Sequence, residues 1–412
     1  MTSSRSLALT AGLATVLLAG CATALLAGCA TSTADDTAAP ATTSAAPAEV
    51  AAAEPRLALT YDGGVLVLDA NDLDVVADLP LDGFNRLNPA GDGRHVFVST
   101  AGGFRVLDTG SWSEPHGDHA HHYAGTPALT DVEFAATKPG HVVRHAGRTV
   151  LFDDGTGRID ILDPAGLADG KPRTDTYTTP EAHHGVAVAL ADGSLIVTLG
   201  DSESRTGIAV LDAERREVTR NEQCPGVHGE AVAADETVVL GCEDGLLVYR
   251  DGTITKVTSP DPYGRIGNQA GSEESPVVLG DYKSDPDAEL ERPQRISLTD
   301  TRTGELRLVD LGTSYTFRSL GRGPHGEALV LGTDGALHVI DQNSGAAVRR
   351  IDVLAPWTEP DEWQSPRPAL YVQGHTAYVT DPASNALHAV DLDSAQVRTA
   401  SLPQTPDEIT GT

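Results

Sequence analysis

The sequence predicts an all-β chain folded as an eight-bladed β-propeller, with seven blades as the alternative. Three observations carry this expectation. A short apolar strand, a Gly/Asp turn and a second strand ending in an acid recur along most of the chain. Their spacing averages about 46 residues, which is blade length and too long for most solenoids. The first repeat has no strand before it, and the C-terminal "TPDEITGT" has no hairpin after it. The tail is therefore expected to supply the innermost strand of the first blade and close the ring.

The repeats run in order as "RLALTYDGGVLVLD" (56–69), "RHVFVSTAGGFRVLD" (94–108), "RTVLFDDGTGRIDILD" (148–163) and "SLIVTLGDSESRTGIAVLD" (194–212). They continue as "TVVLGCEDGLLVYR" (237–250), a stretched "SPVVLGDYKSDPDAELERPQRISLTD" (275–300), "EALVLGTDGALHVID" (327–341) and "HTAYVTDPASNALHAVDL" (375–392). Continuous apolar runs of this length bounded by turn residues read as strands buried on both faces. Weaker strands flank each hairpin, giving about four per unit, and such a unit is covered only by its neighbours.

Residues 1–28 read as a lipoprotein signal peptide. Arg5 opens it, an apolar run follows, and small residues precede a cysteine. The ending resembles a bacterial lipobox and occurs twice, as "LLAGC" at 17–21 and at 25–29. Cys29 is the expected lipidated residue, because the polar tail begins immediately after it; Cys21 is the alternative. Residues 29–55 are rich in Ala, Thr, Ser and Pro and read as a flexible tether. The propeller, 56–412, would then hang as a monomer from the outer face of the cytoplasmic membrane, touching it only through the lipid. In an oxidising compartment the remaining pair, Cys224 and Cys242, is most simply a disulfide. A zinc-thiolate reading of Cys224, four residues before His228, stays open.

A formal net charge of −30 argues against nucleic acid and anionic membrane surfaces as partners. It suits solubility and attracts cations. The chemistry then falls to the histidines. "PHGDHAHHY" (115–123) gathers His116, Asp118, His119, His121 and His122, and reads as a mobile loop that donates metal ligands. Asp118 either binds or orients a neighbouring ring. "KPGHVVRHAG", "PEAHHGVAVAL" and "CPGVHGEAVA" place His141, His184 and His228 at the start of the innermost strand in three consecutive blades. Three imidazoles at one channel rim plus a carboxylate or a loop histidine have the composition of a tetrahedral zinc site. His183, His145, Glu181 and Glu230 are the alternative or supporting ligands. His95, His325 and His375 fall in turns at the opposite rim, and His338 and His388 on outer strands; these five read as ordinary surface or core residues. Zinc affinity is expected to fall steeply below about pH 6, as protons compete for the imidazoles.

"HGDHAHHY" contains the H-x-D-H-x-H element of the AztD-type zinc chaperones, which it resembles. "KPGHVVRHAGRTVLFDDGTG", "PALYVQGHTAYVTDPASNALHAVDL" and the terminal "TPDEIT" are also similar to that family. The resemblance covers 56–412 and implies a propeller that stores zinc and hands it to the solute-binding protein of an ABC importer by ligand exchange. The lipobox departs from a freely diffusing periplasmic carrier and suits a cell with one membrane. Two other classes stay open: a metal-independent interaction platform in the cell envelope, and a zinc hydrolase or lyase with Glu181 or Glu230 as general base. No G-x-S-x-G or H-E-x-x-H signature supports an enzyme.

Overall fold

The computed structural model describes residues 47–412. The signal peptide, both lipobox cysteines and the tether up to residue 46 lie outside the described residues. Among the described residues the regular structure is strand, apart from one short 3₁₀ turn at Pro164–Asp169.

Eight antiparallel sheets of at least four strands follow one another along the chain, the arrangement of a β-propeller. In the first, Arg56–Tyr61, Gly64–Asp69 and Val75–Pro80 follow in sequence, and the C-terminal Ile409–Gly411 pairs beside Arg56–Tyr61 as the innermost strand. The middle strands of this sheet are buried on both faces, whereas Val75–Pro80 is half exposed. Their two sets of side chains serve different neighbours. Leu57, Leu59, Leu66 and Leu68 pack with Tyr378 and Leu387 of the eighth sheet. Ala58, Val65 and Val67 pack with Leu87, Val96 and Val98 of the second. Strand alternation makes this division, because successive side chains point to opposite faces.

A buried charge network fixes the returning tail. Glu408 accepts hydrogen bonds from the Leu87 amide at 3.0 Å, Arg86 Nε at 2.9 Å and Arg318 Nη2 at 3.0 Å. Arg318 also donates to Asp407, whose carboxyl burial pushes up despite that cation. One carboxylate thus ties the link before the last strand to the second sheet and to the link entering the seventh.

Two of the sequence expectations need correcting here. The tether was expected to run to residue 55, but Ala48–Val50 already form a strand. The His-rich segment was expected to be a mobile loop, but Ser111–His116 and His119–Ala124 form a β-hairpin, and Ala48–Val50 adds a third strand to it. The turn is Gly117-Asp118, with Gly117 at φ +63°; glycine at the first central position of a two-residue loop suits a type II′ turn. The hairpin is an insert in the second sheet, between Gly103–Asp108 and Ala128–Ala135.

Removing the Glu408 carboxylate should leave the buried Arg318 guanidinium and the Leu87 amide short of their partner. Glu408→Ala is expected to lower unfolding free energy by about 3–5 kcal/mol, read from urea denaturation, while the similarly charged but exposed Glu214→Ala leaves the midpoint unchanged.

Candidate metal centre

In an antiparallel meander the two ends of each sheet are distinct. Call the link end the one where the chain enters each innermost strand; the turn between second and third strands lies there too. The opposite, turn end carries the turn from first to second strand and the connection from third to fourth.

His141 opens the strand Pro139–His145 of the third sheet, His184 precedes Ala187–Ala189 of the fourth, and His228 begins His228–Ala233 of the fifth. All three therefore sit at the link end. Their ring centroids are 5.2 Å (141–184), 5.3 Å (141–228) and 5.0 Å (184–228) apart. One nitrogen from each lies within 4.8 Å of the others, a spacing that can hold one metal ion.

Each ring is oriented by an oxygen at Nδ1. His184 Nδ1 donates to Asp154 Oδ2 at 2.6 Å, and Asp154 is held by the Gly185 amide. His228 Nδ1 donates to the Gly267 carbonyl at 2.6 Å. His141 Nδ1 lies 3.2 Å from Glu230 Oε2. A carbonyl cannot donate, so the Gly267 bond places the His228 proton on Nδ1 and leaves Nε2 with its lone pair. The Asp154 carboxylate favours the same tautomer for His184, and Glu230 stands within ion-pair distance of His141. This is how metal-ligating imidazoles are normally prepared. Gly229 and Gly241 make the His228 bond possible: a Cβ at 229 would lie 2.6 Å from the Gly267 carbonyl oxygen, and one at 241 would lie 1.7 Å from that of Ile266. The Cys224–Cys242 disulfide pins the segment leading into His228 to the neighbouring strand, and this leaves neither sulfur as a thiolate ligand.

Burial, and then the neighbouring His141 and His184, push the His228 pKa down to about 2, against the opposing hydrogen bond to Gly267. His228 therefore stays neutral below pH 6 in the metal-free protein, and protons compete little for this ring. A cleft of about 650 Å³ opens beside His184, lined by Asp201, Glu203, Glu222 and Glu243 with Arg205 among them.

The supporting residues divide. Glu230 joins the cluster at His141. His183 does not: its Nδ1 donates to the Glu181 carbonyl at 2.9 Å and its Nε2 lies 3.0 Å from Thr198 Oγ1, so both nitrogens are used in the core. Glu181 contributes that backbone carbonyl. His145 lies at the far end of its strand, 3.1 Å from Glu236. Asp154 was missed by sequence reasoning; it follows Asp153, whose carboxylate accepts from the Thr137, Lys138 and Gly155 amides.

The hairpin makes a second cluster. His116 pairs across the turn with His119, and His121 is two residues on, so strand alternation puts all three on one face. Their centroids are 5.1–5.4 Å apart and their nearest nitrogens lie within 4.8 Å. Glu49, on the added strand, bonds His121 Nδ1 at 2.7 Å, and Asp118 lies 3.3 Å from His119 Nδ1. His122 points to the other face and bonds Ser113 Oγ at 2.8 Å, apart from the three. The hairpin departs from the turn end of the second sheet, opposite the His141 cluster. The sequence expectation of a hairpin histidine as fourth ligand of that cluster is therefore not met.

No family model matches the chain. The zinc chaperone AztD of Citrobacter koseri is 29% identical over 343 residues, covering 80% of this chain and 79% of that protein. The crystal structure of Citrobacter koseri AztD superposes with a TM-score of 0.77 at 27% identity, covering 88% of this chain and 98% of that one. This chain resembles AztD. The dihydro-heme d1 dehydrogenase NirN, at a TM-score of 0.55 and 13% identity, shares the fold alone.

The His228 ring predicts a pH signature in the metal-free protein. Unfolded, it takes a proton near its ordinary value of 6.5; folded, only near about 2. Between those values the unfolded chain binds the extra proton, so stability falls as pH drops below about 6.5. His228→Gln should remove this contribution, and its melting temperature should fall less than that of the wild type between pH 7 and pH 4.5 in a thermal denaturation series.

Proposed function

We propose that this chain is an extracytoplasmic zinc chaperone, that its eight sheets are the blades of one ring closed by the C-terminal strand, and that His141, His184 and His228 are its zinc store. The observation that carries the reading is the set of three imidazoles whose Nδ1 atoms are all turned to protein oxygens. Such a site binds a borderline divalent ion through neutral nitrogen and offers a fourth position to water or an incoming ligand. The likeness to AztD, a zinc chaperone, supports zinc as the cargo. AztD is not an enzyme, and the same holds in this reading: Glu230 and Asp154, the carboxylates nearest the ion's place, are engaged with imidazole Nδ1 atoms, not poised as a general base.

Transfer is then ligand exchange. The acceptor is the solute-binding protein of a zinc ABC importer, approaching along the acidic cleft beside His184. His184 is the most exposed of the three, its side chain 39% accessible against 22% for His141. It leaves the ion first, passing it to an acceptor ligand, while His228, half-buried and neutral, releases last. The hairpin cluster of His116, His119 and His121 is a second, more exposed zinc site at the other end of the ring, with Asp118 and Glu49 as orienting carboxylates. The disulfide and the signal peptide support an oxidising, extracytoplasmic setting, with lipidation of Cys29, or of Cys21, as the anchor.

The test is transfer from zinc-loaded protein to the importer's solute-binding protein with a chelator present to trap free ion. The wild type should deliver zinc faster than the chelator captures it. His184→Ala should abolish that protected delivery, whereas a His116→Ala/His119→Ala/His121→Ala variant should keep one tightly bound ion. Delivery by the His184 variant at the wild-type rate would place the store elsewhere.

A further inference from the structure

The histidines read from sequence as ordinary surface residues include a pair that the fold brings together. His325 lies in the turn between Leu320–Arg322 and Ala328–Leu331 of the seventh sheet. His375 lies in the turn between Leu370–Gln373 and Thr376–Asp381 of the eighth. Asp393 lies in the connection between Ala386–Asp391 and Val397–Ser401 of that same sheet. All three are at the turn end, away from the His141 cluster. The two imidazole centroids are 5.7 Å apart, His375 Nδ1 is 2.9 Å from Asp393 Oδ2, and one ligand atom from each of the three residues lies within 4.8 Å of the others.

We propose that His325, His375 and Asp393 form a further site for a borderline divalent cation, zinc foremost. Two neutral imidazoles and a carboxylate are a competent donor set for zinc, with water completing the coordination. The three turns are held in place without the ion. The His325 amide donates to Glu327 Oε2 at 3.0 Å, and its carbonyl accepts from Gln342 Nε2 at 3.3 Å. The Leu392 amide donates to the His375 carbonyl at 2.9 Å, which ties two of the turns together. Arg349, the nearby cation, directs Nη1 to the Leu392 and Asp393 carbonyls at 2.7 and 3.3 Å. The ligands thus come from fixed backbone on two adjacent sheets and do not have to be gathered by the ion. His375 and Asp393 are both more than half exposed, so exchange with solvent is fast and binding weaker than at the His141 cluster. The site needs no contribution from that cluster or from the hairpin, and its existence does not depend on the chaperone reading.

The experiment is a zinc titration of the full mature protein beside His325→Ala/His375→Ala. The variant is expected to lose the weakest zinc equivalent while the tightest step is unchanged, and Asp393→Asn should weaken that equivalent by at least about tenfold. Equal melting temperatures without zinc show that the loss is not misfolding. In the unsubstituted protein, the ring resonances of His325 and His375 should shift together during the last step of the titration. Superimposable titrations, or rings that do not respond to saturating zinc, overturn the proposal.

Discussion

A sheet whose two middle strands bury side chains on both faces persists only between two neighbours. Arg56–Tyr61 shows the constraint at its sharpest, with leucines turned to the eighth sheet and Ala58 to the second. The same demand repeats from sheet to sheet: Phe97 and Phe134 of the second meet Leu151 and Leu162 of the third, and Leu329 and Leu337 of the seventh meet Ala377 and Val390 of the eighth. Meeting this demand brings the beginnings of the innermost strands close to one another. That is why residues as distant in sequence as His141, His184 and His228 share one small volume.

Proximity alone does not make a metal site. The three rings carry a second layer of contacts whose members come from unrelated parts of the chain: a carboxylate at the end of a second strand, a carboxylate two residues past His228, and a backbone carbonyl from the link entering the next sheet. Asp154 and the Gly267 carbonyl take the Nδ1 protons of His184 and His228 and present their other nitrogens, and Glu230 lies 3.2 Å from Nδ1 of His141. Burial and the neighbouring imidazoles, working against the Gly267 bond, keep His228 neutral, so this ligand is ready for zinc at physiological pH. All three rings are half-buried, and the His184 side chain, 39% accessible against 22% for His141, is the one the proposed transfer surrenders first.

Much of this was legible from residues alone. The repeat of paired apolar strands located the hairpins of every sheet, and the position of each histidine relative to its repeat separated link end from turn end. The cysteine pair followed from its compartment. What escaped notice was local and polar. The segment Trp112–Tyr123 does alternate, with Trp112, Glu114 and His116 facing His119, His121 and Tyr123, but both faces of the hairpin are polar, so no apolar period marked it as a strand. Its third strand, Ala48–Val50, comes from an Ala-rich stretch with no strand signature at all. Asp154 was hidden beside Asp153, since sequence does not say which of two adjacent carboxylates caps the turn and which meets a histidine. The Gly267 carbonyl carries no side-chain signal, and the meeting of His325 with His375 depends on how two adjacent sheets pack.

The central claim is that the first zinc ion sits on His141, His184 and His228 through the nitrogens left free by the Nδ1 bonds. Crystals grown with one equivalent of zinc and measured at the zinc absorption edge test it directly. The account predicts a single anomalous peak about 2.0–2.1 Å from Nε2 of each of the three rings, with Asp154, Glu230 and the Gly267 carbonyl still at Nδ1. A first ion on the hairpin histidines, or one bound through Nδ1 of His184 or His228, would contradict it.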